Sequence, residues 1–271
     1  MAQQGPANEV VHVADDVYYF QSQGYISLFI VTDEGVIATD PSSLFNPARA
    51  EAYKAAIASV TGQPVRYVIY SHDSNDHSTG GVVFADTAQF VAHRLAVQKI
   101  ADRNDPRTPV PTVVVDDHLT LQLGGKTIEL YYTGRNHTDN SIVLLYPARR
   151  LLFAVDFIPI NSVLFRDLPD WYVEDLIESL RWVEQNLDFD VLVPGHPPTG
   201  GTKDTVREVR EYVEDLTGSI RAARARGFVD NSDDMVAAVM GDLAARYSRW
   251  ANFEEWLPLN IAGVIRIWSG L

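Results

Sequence analysis

The stretch SHDSNDHSTGG, Ser71 to Gly81, places His72, Asp73, Asp76 and His77 between an apolar run and a double glycine. Neutral imidazole and carboxylate are good ligands for a divalent cation, and in a chain without cysteine they are the only strong ones on offer. A cation held this way acidifies bound water and polarises a substrate oxygen, which is hydrolytic chemistry. Three more residues of the same kind stand further on: His137 in TGRNHTDNS, Asp156 in LLFAVDF and His196 in VLVPGHPP. Each follows an apolar run that reads as a strand. Strand ends along one edge of a sandwich converge, so these residues can face one point. His12, His93 and His118 have no such setting and read as structural.

The elements that must position these residues follow from periodicity. VVHV, VYYF, ISLFIV and GVIATD, between Val10 and Asp40, are short β-type runs broken by Asp15-Asp16, Gly24 and the turn Asp33-Glu34-Gly35, an antiparallel meander. NPARAEAYKAAIASVTG, with Asn46 as cap and Pro47 at the first helical position, predicts a helix. VRYVIYS is a strand whose carboxyl end carries the histidine-rich stretch. TAQFVAHRLAVQKIADR is a helix, or a short strand running into one, and Arg103 to Thr112 is a Pro-rich loop. A hairpin is signalled at Gly124-Gly125, a strand pair around Pro147-Ala148, and a helix in YVEDLIESLRWVEQNL before the strand FDVLVPGH. The order amounts to two βα-type halves with helices outside, an α/β fold of the αβ/βα sandwich kind. From Lys203 onward the chain is helical. Its last segment, FEEWLPLNIAGVIRIWSGL, is a helix packed back on the domain, or else a dimer surface or a lid over the site.

Taken together, these residues resemble the metallo-β-lactamase fold superfamily, whose signature is H-x-H-x-D-H followed by a distant His, a bridging Asp and a final His. The resemblance covers about Val10 to Thr202. It implies a four-layer αβ/βα sandwich over residues 1–202, with residues 203–271 as a C-terminal helical extension packed on the same domain. Carried over position by position, His72 and His137 belong to a first metal site, Asp76, His77 and His196 to a second, and Asp156 bridges both. Ser74 departs from the pattern, standing where the second histidine belongs. A serine hydroxyl is a weak ligand because its proton is not readily lost. The first site is therefore reduced to His72, His137 and Asp156, while the second keeps its full set. One or two zinc ions are implied, the second site being the more secure, with iron or manganese as alternatives. Asp73 alternates away from its neighbours and should point away from the metals, and Gly80-Gly81 allow close packing ahead of the next helix.

The resemblance implies a hydrolase in which metal-bound hydroxide attacks a small ester, lactone, lactam or related bond, with Asp76 orienting the nucleophile and carrying a proton to the leaving group. Tyr25, Phe157, Ile158, Phe165, Trp171 and Tyr172 could line an apolar entrance, and Arg135, Asn136 and Arg166 could receive a carboxylate or phosphate. Two other readings remain: a degenerate, non-catalytic metal- or ligand-binding protein of the same fold, and a mono-iron oxygenase using His72, His137 and Asp156. No flavodoxin-like segment follows the fold, which sets the electron-transfer branch aside.

Length and charge narrow the partners. A chain of 271 residues, 46% of them hydrophobic, suffices for one large domain. With 22 basic against 36 acidic residues the formal charge is -14, which repels nucleic acid and anionic lipid surfaces. The expected partner is a small-molecule substrate, with a homodimer through the C-terminal helical region as the further option. There is no apolar run of about 18 residues to span a membrane. The start, MAQQGPANEV, lacks the basic end and apolar centre of a secretory signal. The compartment stays open: cytoplasm, or periplasm if a signal peptide was removed.

Overall fold

The structure is a computed structural model that describes residues 8–270. The reading of the first seven residues as free of a secretory signal lies outside the described residues. The chain forms two compact units. The first is Met1–Thr133, Asn140–Val155 and Asp188–Gly200; the second is Gly134–Asp139, Asp156–Leu187 and Gly201–Leu271.

The first unit is built on two mixed sheets. One has seven strands in chain order: β1 (Glu9–Ala14), β2 (Val17–Ser22), β3 (Tyr25–Thr32), β4 (Gly35–Thr39), β5 (Val65–Ile69), β6 (Gln89–His93) and β7 (Val113–Val115). The pairings from β1 to β4 are antiparallel, as the meander predicts, and those from β4 to β7 are parallel. Parallel neighbours need crossovers, supplied by helix α1 (Ala48–Val60), a short helical turn α2 (Asn75–Ser78) and helix α3 (Arg94–Arg103). TAQFVAHRLAVQKIADR thus resolves into β6 running directly into α3, with the His93 Nδ1 accepting the Leu95 N–H at 3.3 Å as the cap. The second sheet holds β8 (His118–Leu123), β9 (Lys126–Tyr132), β10 (Ile142–Tyr146), β11 (Leu151–Ala154) and β12 (Val191–Pro194) in the order β12-β11-β10-β9-β8. The hairpin at Gly124-Gly125 and the strand pair around Pro147-Ala148 are both present.

Alternation decides what each strand buries. Ile26, Leu28 and Ile30 of β3 enter a core between the sheets with Ile128, Leu130, Leu144, Phe153 and Val193. Phe29, one residue out of step, joins Tyr53 and Ile57 of α1 and Ile100 of α3 on the opposite face. Strands buried on both faces read as continuous apolar runs, which is why ISLFIV does not alternate. Rigid strands packed this way fix where their carboxyl ends stop. Asp40 follows β4 directly, His72 lies just beyond β5, and β11 and β12 run parallel with Ala154 beside Pro194, two residues before Asp156 and His196.

The second unit holds α4 (Val173–Asn186), α5 (Lys203–Ala225), α6 (Asp233–Tyr247) and α7 (Phe253–Trp268). α5 starts with a capping box between Thr202 and Thr205, and Ser232 caps α6 by accepting the Met235 N–H at 3.2 Å. The aromatic, apolar last segment is α7, which packs on α5 and α6 through Phe253, Leu257, Ile261 and Val264. Asn260, fully buried on α7, accepts the Tyr212 hydroxyl at 2.7 Å and donates to the carbonyls of Leu164 at 3.0 Å and Arg166 at 2.6 Å. Asn260→Ala strands all three partners. It is expected to cost about 2–4 kcal/mol in urea denaturation, at about 1–3 kcal/mol per orphaned buried group with partial relaxation. A loss under about 0.5 kcal/mol, the range of an ordinary surface change, would refute that role.

Among the described residues no helix is long and apolar enough to cross a membrane.

Candidate metal centre

After β5 the chain turns at residues 70–74 into α2. The Ser74 carbonyl accepts the N–H groups of His77 at 3.1 Å and Ser78 at 2.9 Å, closing the turn that carries Asp76 and His77. Gly80 follows at φ +107°, and a Cβ there would lie 2.2 Å from the Ser43 Oγ, so both backbone and space require glycine. Asp73 is turned aside, as expected. Its Oδ1 accepts the Asn140 Nδ2 at 2.7 Å, its N–H donates to the Asn140 Oδ1 at 2.9 Å, and Arg103 Nη2 holds its carbonyl at 2.7 Å.

Within the first unit, Asp76, His77 and His196 each offer a ligand atom, all within 4.8 Å of one another. The His77 and His196 Nε2 atoms are 3.2 Å apart, and the Asp76 Oδ2 is 3.7 Å from the His77 Nε2. His196 Nδ1 lies 2.7 Å from the Gly24 carbonyl, which can only accept, so the ring proton sits on Nδ1 and the Nε2 lone pair faces His77. The donor set fits a metal. Two nitrogens each about 2.0–2.1 Å from a tetrahedral zinc stand about 3.4 Å apart, close to what His77 and His196 show.

Behind these candidate ligands lies a buried carboxylate. Asp40 accepts the Ser71 N–H at 2.8 Å and the Ser71 hydroxyl at 2.6 Å, and its Oδ2 is 3.5 Å from the His77 Nδ1. Since the Ser71 hydroxyl spends its one proton on Asp40, it receives one from the His72 Nδ1 at 2.9 Å, leaving the His72 Nε2 as a lone pair. The His72 ring centroid is 4.9 Å from that of His77. Histidine ligands are commonly oriented this way, through the nitrogen that does not bind metal.

The second unit brings His137 and Asp156 together, with Nε2 3.3 Å from Oδ2. Asp156 has φ +69°, a left-handed conformation that aspartate and asparagine tolerate better than other side chains. The Asn136 Oδ1 accepts the His137 N–H, and its Nδ2 reaches the Ser179 Oγ at 3.3 Å, so Asn136 braces its own loop. The Trp171 ring stands edge-on to His137 at 5.1 Å. Of the other entrance residues, Phe157 and Ile158 are buried core, whereas Phe165 is 50% exposed. Arg135 pairs with Asp175 and lies 4.7 Å over the Tyr172 ring. The three histidines read as structural have partners of that kind: His93 caps α3, His118 meets Glu129 at 2.6 Å, and the His12 Nε2 lies 3.1 Å from the Asp15 carbonyl.

Three contributors have no candidate role in the sequence, and a fourth, Tyr25, stands there only as an entrance residue. Asp40 ends an apolar strand just as Asp156 does, and that shared setting was the signal available for it. The Tyr25 hydroxyl donates to the Asp76 Oδ2 at 3.3 Å. The Gly24 carbonyl carries no side-chain signature. Arg49, in the first turn of α1, resembles a surface cation but is 1% exposed, and burial lowers its guanidinium to about 10 although Tyr53, Tyr25 and Asp40 favour the charge.

Known proteins share this architecture. Over 239 residues the chain is 28% identical to the 2,4-dinitroanisole O-demethylase subunit alpha of Nocardioides sp. (strain JS1661), covering 87% of this chain and 72% of that protein. Among solved structures, a metallo-beta-lactamase from Pontibacter korlensis superposes with a TM-score of 0.63 at 19% identity, over 76% of this chain and 99% of that one. A variant of the sec-alkyl sulfatase PisA1 superposes with a TM-score of 0.74 at 14% identity over 97% of this chain, which spans 50% of the sulfatase chain. These likenesses show the fold: the four-layer α/β sandwich with two mixed sheets and added C-terminal helices. Residues 24–196 match the metallo-beta-lactamase superfamily, whose members are mostly metal-dependent hydrolases. That span runs from the turn before β3 to the last expected ligand, and the chain belongs to the metallo-beta-lactamase superfamily.

Proposed function

We propose that this chain is a metal-dependent hydrolase of a small ester, lactone, lactam or related bond. In this reading Asp76, His77 and His196 would hold one cation, His72, His137 and Asp156 would hold another, and the ion would be zinc. Residues 1–202 are the hydrolytic domain and residues 203–271 its extension. The observation that carries the reading is the His77–His196 pair, two imidazole nitrogens 3.2 Å apart beside the Asp76 carboxylate. With the His77 proton on Nδ1, the side that faces the Asp40 carboxylate, two lone pairs meet at that distance, an arrangement that a cation between them stabilises.

When bound, the ions supply a Lewis acid for the scissile group and an acidified water. Asp76 would orient the attacking water and carry a proton to the leaving group, while Asp40 and the Gly24 carbonyl keep the rings of His77 and His196 aimed. The charge of -14 and the engagement of Arg135 by Asp175 favour a neutral or weakly anionic substrate over a phosphate-rich one.

Metal analysis of the purified protein, alongside a panel of lactones, aryl esters, thioesters, phosphodiesters and β-lactams, tests this reading. The O-demethylase relative adds 2,4-dinitroanisole to the panel. Zinc is expected to be retained, and activity to vanish on chelation and return with zinc. A chain that takes up no metal when zinc is supplied is not a metallo-hydrolase, and iron with oxygen uptake would indicate the oxygenase instead. Ser74→His restores a strong donor, and titration should show the weaker site tightening by about tenfold or more. An unchanged affinity would show that Ser74 does not stand at a ligand position.

A further inference from the structure

The turn joining β2 to β3 and the first residues of β3 are bonded at three successive residues to the proposed ligand set and to Gly195 beside it. The Gly24 carbonyl takes the His196 Nδ1–H at 2.7 Å, the Tyr25 hydroxyl donates to the Asp76 Oδ2 at 3.3 Å, and the Ile26 N–H donates to the Gly195 carbonyl at 2.8 Å. The Tyr25 ring also lies against both imidazoles, with centroids 4.8 Å from His196 and 5.4 Å from His77. Arg49 pins the turn. It donates to the carbonyls of Ser22 at 3.3 Å, Tyr25 at 3.2 Å and Pro41 at 2.7 Å and to the Ser27 Oγ at 3.1 Å, with its guanidinium carbon 5.7 Å from the Tyr25 ring centroid. Moving the turn would leave those buried donors unmade, so Tyr25 is held where it stands.

We infer that Tyr25 is a positioning residue for the metal: its hydroxyl selects the orientation of the Asp76 carboxylate while its ring fixes the imidazoles of His77 and His196. The inference rests on the hydrolase reading and adds to it a residue that is not itself a ligand. The terminal torsion of an aspartate is broad and two-fold, so a carboxylate with nothing to hold it samples orientations that present either oxygen. A donor on Oδ2 narrows that choice before an ion arrives, and preorganisation of this kind shows up as affinity. The same bond holds Asp76 for its work on the water, so losing it should lower kcat while leaving KM near its original value.

Tyr25→Phe removes the hydroxyl and keeps the ring. Cobalt(II) titrated into metal-free wild type and Tyr25→Phe, followed by calorimetry and by visible d–d absorption, separates the outcomes. The expected result is a Kd weakened by about tenfold, within the usual range for an outer-shell partner, with a changed cobalt spectrum. The metal-free variant should melt within about 1 °C of wild type, because the lost bond is a single part-buried one. An unchanged Kd and spectrum would overturn the inference. So would a metal-free melting point several degrees lower with a wild-type cobalt spectrum, since that is a structural role. Wild type that takes up no cobalt defeats the hydrolase reading and this inference with it, whereas wild-type uptake matched by the variant defeats the inference alone.

Discussion

Asp76→Ala should lower hydrolysis by at least about 1,000-fold, the upper end of what removing one transition-state contact costs, and weaken metal binding at its site beyond the roughly 100-fold typical of an outer-shell partner. In the proposed reading the change removes a ligand and a proton carrier together. What remains is two imidazoles 3.2 Å apart with no carboxylate on the side of their Nε2 atoms, the Asp40 anion lying behind the His77 ring at Nδ1. Asp73→Ala is the matched control, removing a carboxylate from the same loop. Because Asp73 is held by Asn140 and Arg103 and is absent from the ligand set, its loss should cost at most about tenfold, through loop order alone. Steady-state kinetics with calorimetric zinc titration measure both. Equal losses in the two variants would show that the loop needs negative charge in general and that Asp76 has no special place.

A second large effect is expected at Asp40, which touches no proposed metal position. Asp40→Ala takes the acceptor from the Ser71 N–H and hydroxyl and the anion from beside the His77 Nδ1, all of them buried. The stranded donors should cost about 2–4 kcal/mol in denaturant unfolding. Metal affinity should fall by about 10–100-fold, because His72 and His77 lose the groups that fix their tautomers. Asp40→Asn separates the two effects. The amide keeps the shape and one acceptor but presents N–H where the carboxylate accepted, so most of the stability should return while the affinity stays low. If Asp40→Asn binds zinc like wild type, the carboxylate does not orient the histidines.

Much of the site was legible because strand ends are legible. His72, His137, Asp156 and His196 each follow an apolar run, and such runs are the strongest signal a single sequence carries for a buried strand. That Asp73 turns aside was readable from alternation alone, although Asn140, the partner that holds it, lies 67 residues away and could not be named. What stayed hidden was chemistry borne by groups without a distinctive letter or a distinctive neighbourhood. The Gly24 carbonyl is backbone, and Arg49 looks like any cation at a helix start until the fold buries it. The segment beginning at Thr87 could be a helix, or a short strand running into one, because its β portion is short, and pairing of β6 between β5 and β7 decides it. Phe157 and Ile158 follow a ligand in sequence, yet burial makes them core, since proximity along the chain does not say which way a side chain points.

The hydrogen bond from His196 to Gly24 spans 172 residues of chain, which bears on the order of assembly. Loop-closure entropy must be met before so distant a pair rewards it, and contacts of that range form late. During synthesis from the amino end, the early hairpin and the histidine-rich loop exist well before the segment that completes them. The three-ligand set is therefore closed by the last strand of the second sheet, and a nascent chain that has not yet reached β12 owns His77 and Asp76 without the means to grip an ion in the mature geometry.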